Sequence, residues 1–148
     1  MYNSDYLDLK GSLVITKTTE DGITEIIEVP NLVVTAGKTH IAARMAANTT
    51  NVMSHMAIGS SNTAAAAADT TLGTELARQA LGTTGGTPSS NTISYTATYS
   101  AGTGTGTLTE AGIFNASSGG TMLCRTVFSP VTKAAGDTLS ISWTVSIV

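Results

Sequence analysis

The sequence predicts an all-β protein: an antiparallel β-sandwich, immunoglobulin-like or jelly-roll, with one short helix near residues 37–47. Three observations lead there. The last stretch alternates strictly. Leu139, Ile141, Trp143, Val145 and Ile147 take one side, and Ser140, Ser142, Thr144 and Ser146 take the other. That is the two-residue period of a half-buried strand. Further short apolar runs recur between turn residues at intervals of roughly ten, as in sandwiches and barrels. Finally, Thr is the commonest residue and only 11% of the chain is charged, against about 25% in typical soluble domains. Many small polar side chains and few charges suit β-structure whose surfaces meet other protein.

The elements follow in order. Residues 1–10 mix acidic, polar and apolar types without a period and read as an N-terminal arm; 11–148 read as a single domain. Residues 12–18 are β-prone, Glu20-Asp21-Gly22 makes a hairpin turn, and residues 23–29 return as a strand. Pro30 is expected to interrupt that strand, with extended chain resuming at Asn31. Thr35-Ala-Gly-Lys opens the helix, in which Ala and Met are strong formers and Ile41 and Met45 can face a sheet. Residues 52–58 read as a buried strand and 59–71 as a low-complexity loop with room for one helical turn. Residues 72–81 are a short strand or helix, and 82–91 a loop. Residues 92–100 alternate again, with Ile93, Tyr95, Ala97 and Tyr99 on one face. Residues 107–114 and 122–128 complete the strands before the last, the latter expected to close at Ser129-Pro130.

Composition narrows function. The net charge is −3 and the seven basic residues are scattered, so nucleic acid is not an expected partner. No apolar run approaches the roughly 18 residues of a membrane span. The polar, acidic start Met1-Tyr-Asn-Ser-Asp-Tyr6 does not read as a secretory signal, so folding in the cytoplasm is expected. The single Cys124 leaves no partner for an internal disulfide.

Catalytic constellations are weak throughout. Gly37-Lys38-Thr39 resembles the tail of a phosphate-binding loop, but Leu32 stands where the required earlier glycine would be. His40 and His55 lack metal-ligand spacing; His40 is expected exposed on the helix and His55 hydrogen-bonded. Cys124 reads as a buried, inert thiol. Glu110 and Asp137 could be imagined as a carboxylate pair, but a turn explains Asp137 and a loop or cap explains Asp69. No enzyme, cofactor or metal is expected.

Several segments together resemble a known family. They are Asn31-Leu-Val-Val-Thr-Ala-Gly-Lys-Thr-His-Ile-Ala-Ala-Arg-Met45, Met53-Ser-His-Met-Ala-Ile-Gly-Ser-Ser-Asn-Thr-Ala64, Ala68-Asp-Thr-Thr-Leu-Gly-Thr-Glu-Leu-Ala-Arg78, Glu110-Ala-Gly-Ile-Phe114 and Cys124-Arg-Thr-Val-Phe-Ser-Pro-Val-Thr-Lys-Ala-Ala-Gly-Asp-Thr-Leu139. In this order they resemble small virion structural proteins of tailed bacteriophages, over roughly residues 31–148. The resemblance implies a capsid decoration (cement) protein, a homotrimer whose partner is the major capsid protein in the virion. A tail, baseplate or fibre-attachment protein with tail partners is the alternative, and a host-surface binding module a further one. The expected attachment residues are Tyr2, Tyr6 and Leu7 of the arm, with Ser60 and Asn62 of the 59–71 loop.

Overall fold

The computed structural model describes residues 7–46 and 50–148. It is antiparallel β with one helix. The strands are β1 (Leu9–Thr18), β2 (Thr24–Val33), β3 (His55–Gly59), β4 (Glu75–Ala80), β5 (Thr87–Ser89), β6 (Thr92–Tyr99), β7 (Gly106–Phe114), β8 (Met122–Lys133) and β9 (Thr138–Ile147); helix α1 (Thr35–Ala46) follows β2. The alternating segment 139–147 lies within β9, and Leu139, Ile141, Trp143 and Val145 are buried as its pattern requires. Ile147 departs from the pattern and is partly exposed at the strand end.

All nine strands join in one sheet of order β4-β3-β7-β8-β2-β1-β9-β6-β5. The ladders therefore trace a single curled sheet, half of a barrel, where the sequence reading expected two packed sheets. The curl brings the far strands together. Tyr99 of β6 donates its hydroxyl to the Met56 carbonyl of β3 at 2.6 Å, and Gly82 N, just past β4, donates to Thr96 O of β6 at 2.8 Å. Inside the curl, Leu13, Ile15, Tyr95, Ile141 and Trp143 from one half meet Met56, Ile58, Leu108 and Ile113 from the other.

Strand β2 makes the sheet continuous. It pairs with β1 as far as Gly11↔Asn31, then with β8 through Leu32↔Arg125 and Val33↔Cys124. Pro30 does not break it. The proline falls beside this change of partner, and its carbonyl accepts the Thr126 hydroxyl at 2.7 Å. Pro130 likewise lies inside β8, which runs on to Lys133. Between the pairs Leu108↔Val131 and Glu110↔Val127 the register shifts, so one residue of β7 faces three of β8. A proline without an N–H is tolerated in such a bulge.

Other differences are smaller. β1 starts at Leu9, inside the segment read as an arm. Residues 75–80 are strand, and the loop after them contains the short β5. The helix spans Thr35–Ala46, close to its expected place. Gly37 packs it on β8, where any Cβ would run into the Leu123 carbonyl.

Neighbouring residues of β9 should separate core from surface. Ile141→Ala should cost about 2–5 kcal/mol, and Ser142→Ala should stay within about 0.5 kcal/mol, both read from urea unfolding at constant m-value.

Candidate functional site

The outer side of the curl divides into a covered half and an uncovered half. On the covered half, Glu110 and Phe114 of β7 and Arg125 of β8 lie beneath the segment joining β3 to β4. Leu72 packs there with Ala57, Phe114, Met122 and Val34. This layer buries all of β7 from Leu108 to Phe114.

The cover is held by ions. Glu110 is 0% exposed and Arg125 3%. Glu110 Oε1 accepts the N–H groups of Thr74 (2.7 Å) and Ser61 (3.1 Å). Its Oε2 accepts Gly73 N (2.9 Å), Arg125 Nε (3.1 Å) and Arg125 Nη2 (2.9 Å). Arg125 spends its remaining donors on the same segment: Nη1 on Asp69 Oδ2 (2.7 Å) and Ala64 O (3.4 Å), Nη2 on Thr63 O (3.0 Å). Asp69 also accepts Ala66 N at 2.9 Å, and its own N–H donates to the Ala66 carbonyl at 3.0 Å, so the Ala run forms a tight turn where the sequence left room for a helical one. Gly59 is required below, since a Cβ there would meet the Thr74 carbonyl and the Glu110 carboxylate.

Both carboxyls are tuned by these bonds. Burial alone would raise Glu110, but the N–H groups of Thr74, Gly73 and Ser61 together with Arg125 outweigh it and hold the carboxyl below its ordinary range. The Ala66 N–H, helped by Arg125, lowers Asp69 against the opposing effect of burial. Burial works against the Arg125 charge, and Asp69 and Glu110 reverse that and raise its pKa. Every N–H of the guanidinium has a partner within the fold. The cluster's chemistry is to fasten a loop.

The uncovered half is the outer face of β6, β9, β1 and β2. Strand register places its side chains in rows. Thr92, Ser146 and Lys10 form one. Ser94, Thr144, Ser12 and Pro30 form the next, then Thr96, Ser142, Val14 and Glu28. Thr98, Ser140, Thr16 and Ile26 follow, and Thr138, Thr18 and Thr24 close the array. Lys10 and Glu28 carry the only charges in these rows. Two hydroxyl pairs bridge β6 and β9: Thr98 with Ser140 at 3.2 Å and Ser94 with Thr144 at 3.4 Å. Strand pairing fixes the backbone beneath, so the face is a preformed, neutral, small-residue surface.

The expected attachment residues are dispersed. Tyr2 and Tyr6 lie outside the described residues. Leu7 is 74% exposed, just before the start of β1. Ser60 and Asn62 are exposed where the fastened loop begins. The residues weighed for catalysis have separate structural partners. Asp137 caps its turn through Ala134 N at 2.8 Å, and His55 Nδ1 contacts Ser54 Oγ at 2.8 Å. Cys124 is buried, which pushes its thiol pKa well up and away from the reactive thiolate. His40, expected on the surface, is buried. Among the described residues, no group of three or more His, Cys, Asp or Glu is placed to hold a metal ion.

Compared with protein-family models, curated proteins and solved structures, the chain matches none.

Replacing Arg125 with Met should cost about 3–5 kcal/mol, because Glu110 is left as an unpaired buried charge; chemical denaturation measures it. Stability should also fall in acid. Both folded-state carboxyl pKa values lie below those of the unfolded chain. Their contribution is therefore complete above about pH 5 and lost as pH drops through the folded values. Melting curves from pH 7 to pH 3 should show this loss, and Asp69→Asn should reduce its steepness.

Proposed function

We propose that this is a non-enzymatic structural protein of a tailed-phage virion, which decorates and cements the capsid. The observation that carries the reading is the uncovered face of β6, β9, β1 and β2. The chain uses a whole loop and a buried ion cluster to cover one half of its outer surface. It leaves the other half bare and nearly uncharged. Free soluble proteins guard exposed sheet surfaces with charge, so a face of this composition suits a permanent neighbour. Small hydroxylated side chains allow close approach and lose little conformational entropy on burial.

The virion assignment rests on the resemblance of the segments within residues 31–148, and the face gives it a mechanism. Copies associate with closed symmetry, as a trimer, through part of this surface. Each trimer then bridges adjacent major capsid subunits, so that internal pressure must break its contacts as well as theirs. Leu7, Ser60 and Asn62 are exposed and placed to add contacts outside the face. A protein of the tail or baseplate would use the same face on a different partner.

A charge in the middle of the face tests this. Ser142→Arg and Thr96→Arg should leave the melting temperature of the free protein within about 2 °C. They should reduce incorporation into particles at least tenfold, with capsids that burst under milder osmotic shock. Wild-type incorporation of both variants would remove the face from the interface. Capsids equally robust without the protein would refute cementing.

A further inference from the structure

Strand β2 has two edges, and along most of its length only one is used. On the β1 side it is paired from Thr24 to Asn31. On the other side β8 pairs with it only at Leu32 and Val33.

The hydrogen bonds fix which backbone groups turn toward the open edge. Asp8 and Val148 exchange both of their N–H···O bonds, at 2.8 and 2.9 Å. Hydrogen-bonded pairs recur at every second position of an antiparallel ladder. The even-numbered residues of β1 therefore bond to β9, and the odd-numbered ones bond to β2. Within β2 the odd-numbered residues are spent on β1, and the even-numbered ones face away. The far end of the strand agrees. Val34 N donates to Leu123 O at 3.2 Å, and the Pro30 carbonyl turns to the Thr126 hydroxyl of β8.

Thr24, Ile26 and Glu28 thus direct three N–H and three C=O groups out of the sheet, and no described strand pairs with them on that side. This window is closed at both ends. Gly22 N is held by the Thr19 carbonyl at 2.9 Å. Pro30 has no N–H, and its carbonyl is taken. All three residues of the window are exposed, Ile26 to 68%. An exposed row of unpaired backbone groups is a template for another strand.

We propose that this edge pairs with the same edge of a second copy of the chain, antiparallel about a two-fold axis at Ile26. The window is symmetrical about that residue. In this register Ile26 faces Ile26 of the second copy and Thr24 faces Glu28. Six N–H···O bonds form, and every free group of both windows is used. Side chains exclude the neighbouring registers. An axis at Glu25 or Glu28 sets a glutamate directly against its own copy, and an axis at Ile27 sets Thr24 against Pro30, which cannot donate. About Ile26 the two exposed isoleucines meet instead. The Glu28 carboxylates then stand roughly 14 Å apart, beyond the screening length in physiological salt. On the inner side each Glu25 lies against Ile27 and carries its own counter-ion, Lys17 at 3.2 Å. The contact uses the edge of β2 and not the broad face, so it stands apart from the virion assignment and would survive its failure.

Sedimentation of the full chain from about 10 µM to about 1 mM tests the pairing. The particle mass should double, with a dissociation constant on the order of 100 µM. Ile26→Lys, at an exposed position whose backbone bonds to neither β1 nor β8, should leave the melting temperature within about 2 °C. It should weaken the doubling about tenfold, because like charges come to lie opposite each other. Thr24→Lys should strengthen it about threefold at low salt, since the new cation meets Glu28 of the second copy twice in each pair. Under mild oxidation Ile26→Cys should give a disulfide-linked dimer, because the facing Cα atoms lie about 5.5 Å apart, and Thr24→Cys should not. A mass that does not double would overturn the self-pairing and leave the edge to a strand of another protein. Doubling that Ile26→Lys leaves intact, or equal cross-linking of the two cysteine variants, would overturn it as well.

Discussion

Glu110 is a carboxylate with no exposure to water, and much of the architecture follows from satisfying it. An isolated buried charge is prohibitive, so the group must be surrounded by donors. Two oxygens accept three backbone N–H groups and two guanidinium N–H groups. Those amides belong to the chain between β3 and β4, and Arg125 reaches on to Asp69, Ala64 and Thr63 of the same segment. A Gly/Ala/Thr-rich loop with little hydrophobic content of its own is thereby fixed over β7 and β8. Leu72 is set into the layer below. A pair of this kind is weak as a source of net stability but strict in geometry. It admits one loop position.

The two halves of the outer surface are then complementary in design. Under the loop the sheet is covered on both faces, so β7 is buried without interruption from Leu108 to Phe114, Thr109 and Glu110 included. Beyond β2 the sheet faces outward unaided, and alternation returns with Ser and Thr on the open side. The edges are restrained in different ways. β5 is three residues long and contains Pro88, and the β4 end is tied back to β6 through Gly82 and Thr96. The broad face of β6, β9, β1 and β2 stays uncovered in the chain itself, with Lys10 and Glu28 as the only charges in its rows.

The strands were legible wherever one face was buried and the other was not. β6 and β9 declare themselves by alternation, and the first hairpin by Asp21-Gly22. The prolines misled because their tolerance is decided at long range. Pro30 sits where β2 changes partner, and Pro130 sits in a bulge against β7, neither of which is written in the local sequence. The number of strands suggested two packed sheets, yet only pairing order reveals that β2 links everything into one. Glu110 and Asp69 were visible as isolated acids, but nothing local named Arg125, 15 positions from Glu110 and 56 from Asp69, as the residue joining them. The hydroxyl face was visible one strand deep. Its extension across β6 and into β1 required the register, which also shows it giving way to Ile26, Glu28 and Pro30 on β2. His40 looked like a surface residue of a helix because the closeness of α1 to the sheet depends on Gly37 and Leu123 meeting.

The most direct test of the account is the number of copies of this chain in purified particles, counted by quantitative mass spectrometry against the major capsid protein. A capsid cement protein that packs through its neutral face should appear at a ratio near one, or near one third, per capsid subunit. A ratio of a few per cent would move the face onto a tail partner. Absence from intact particles would contradict an assembly role for it altogether.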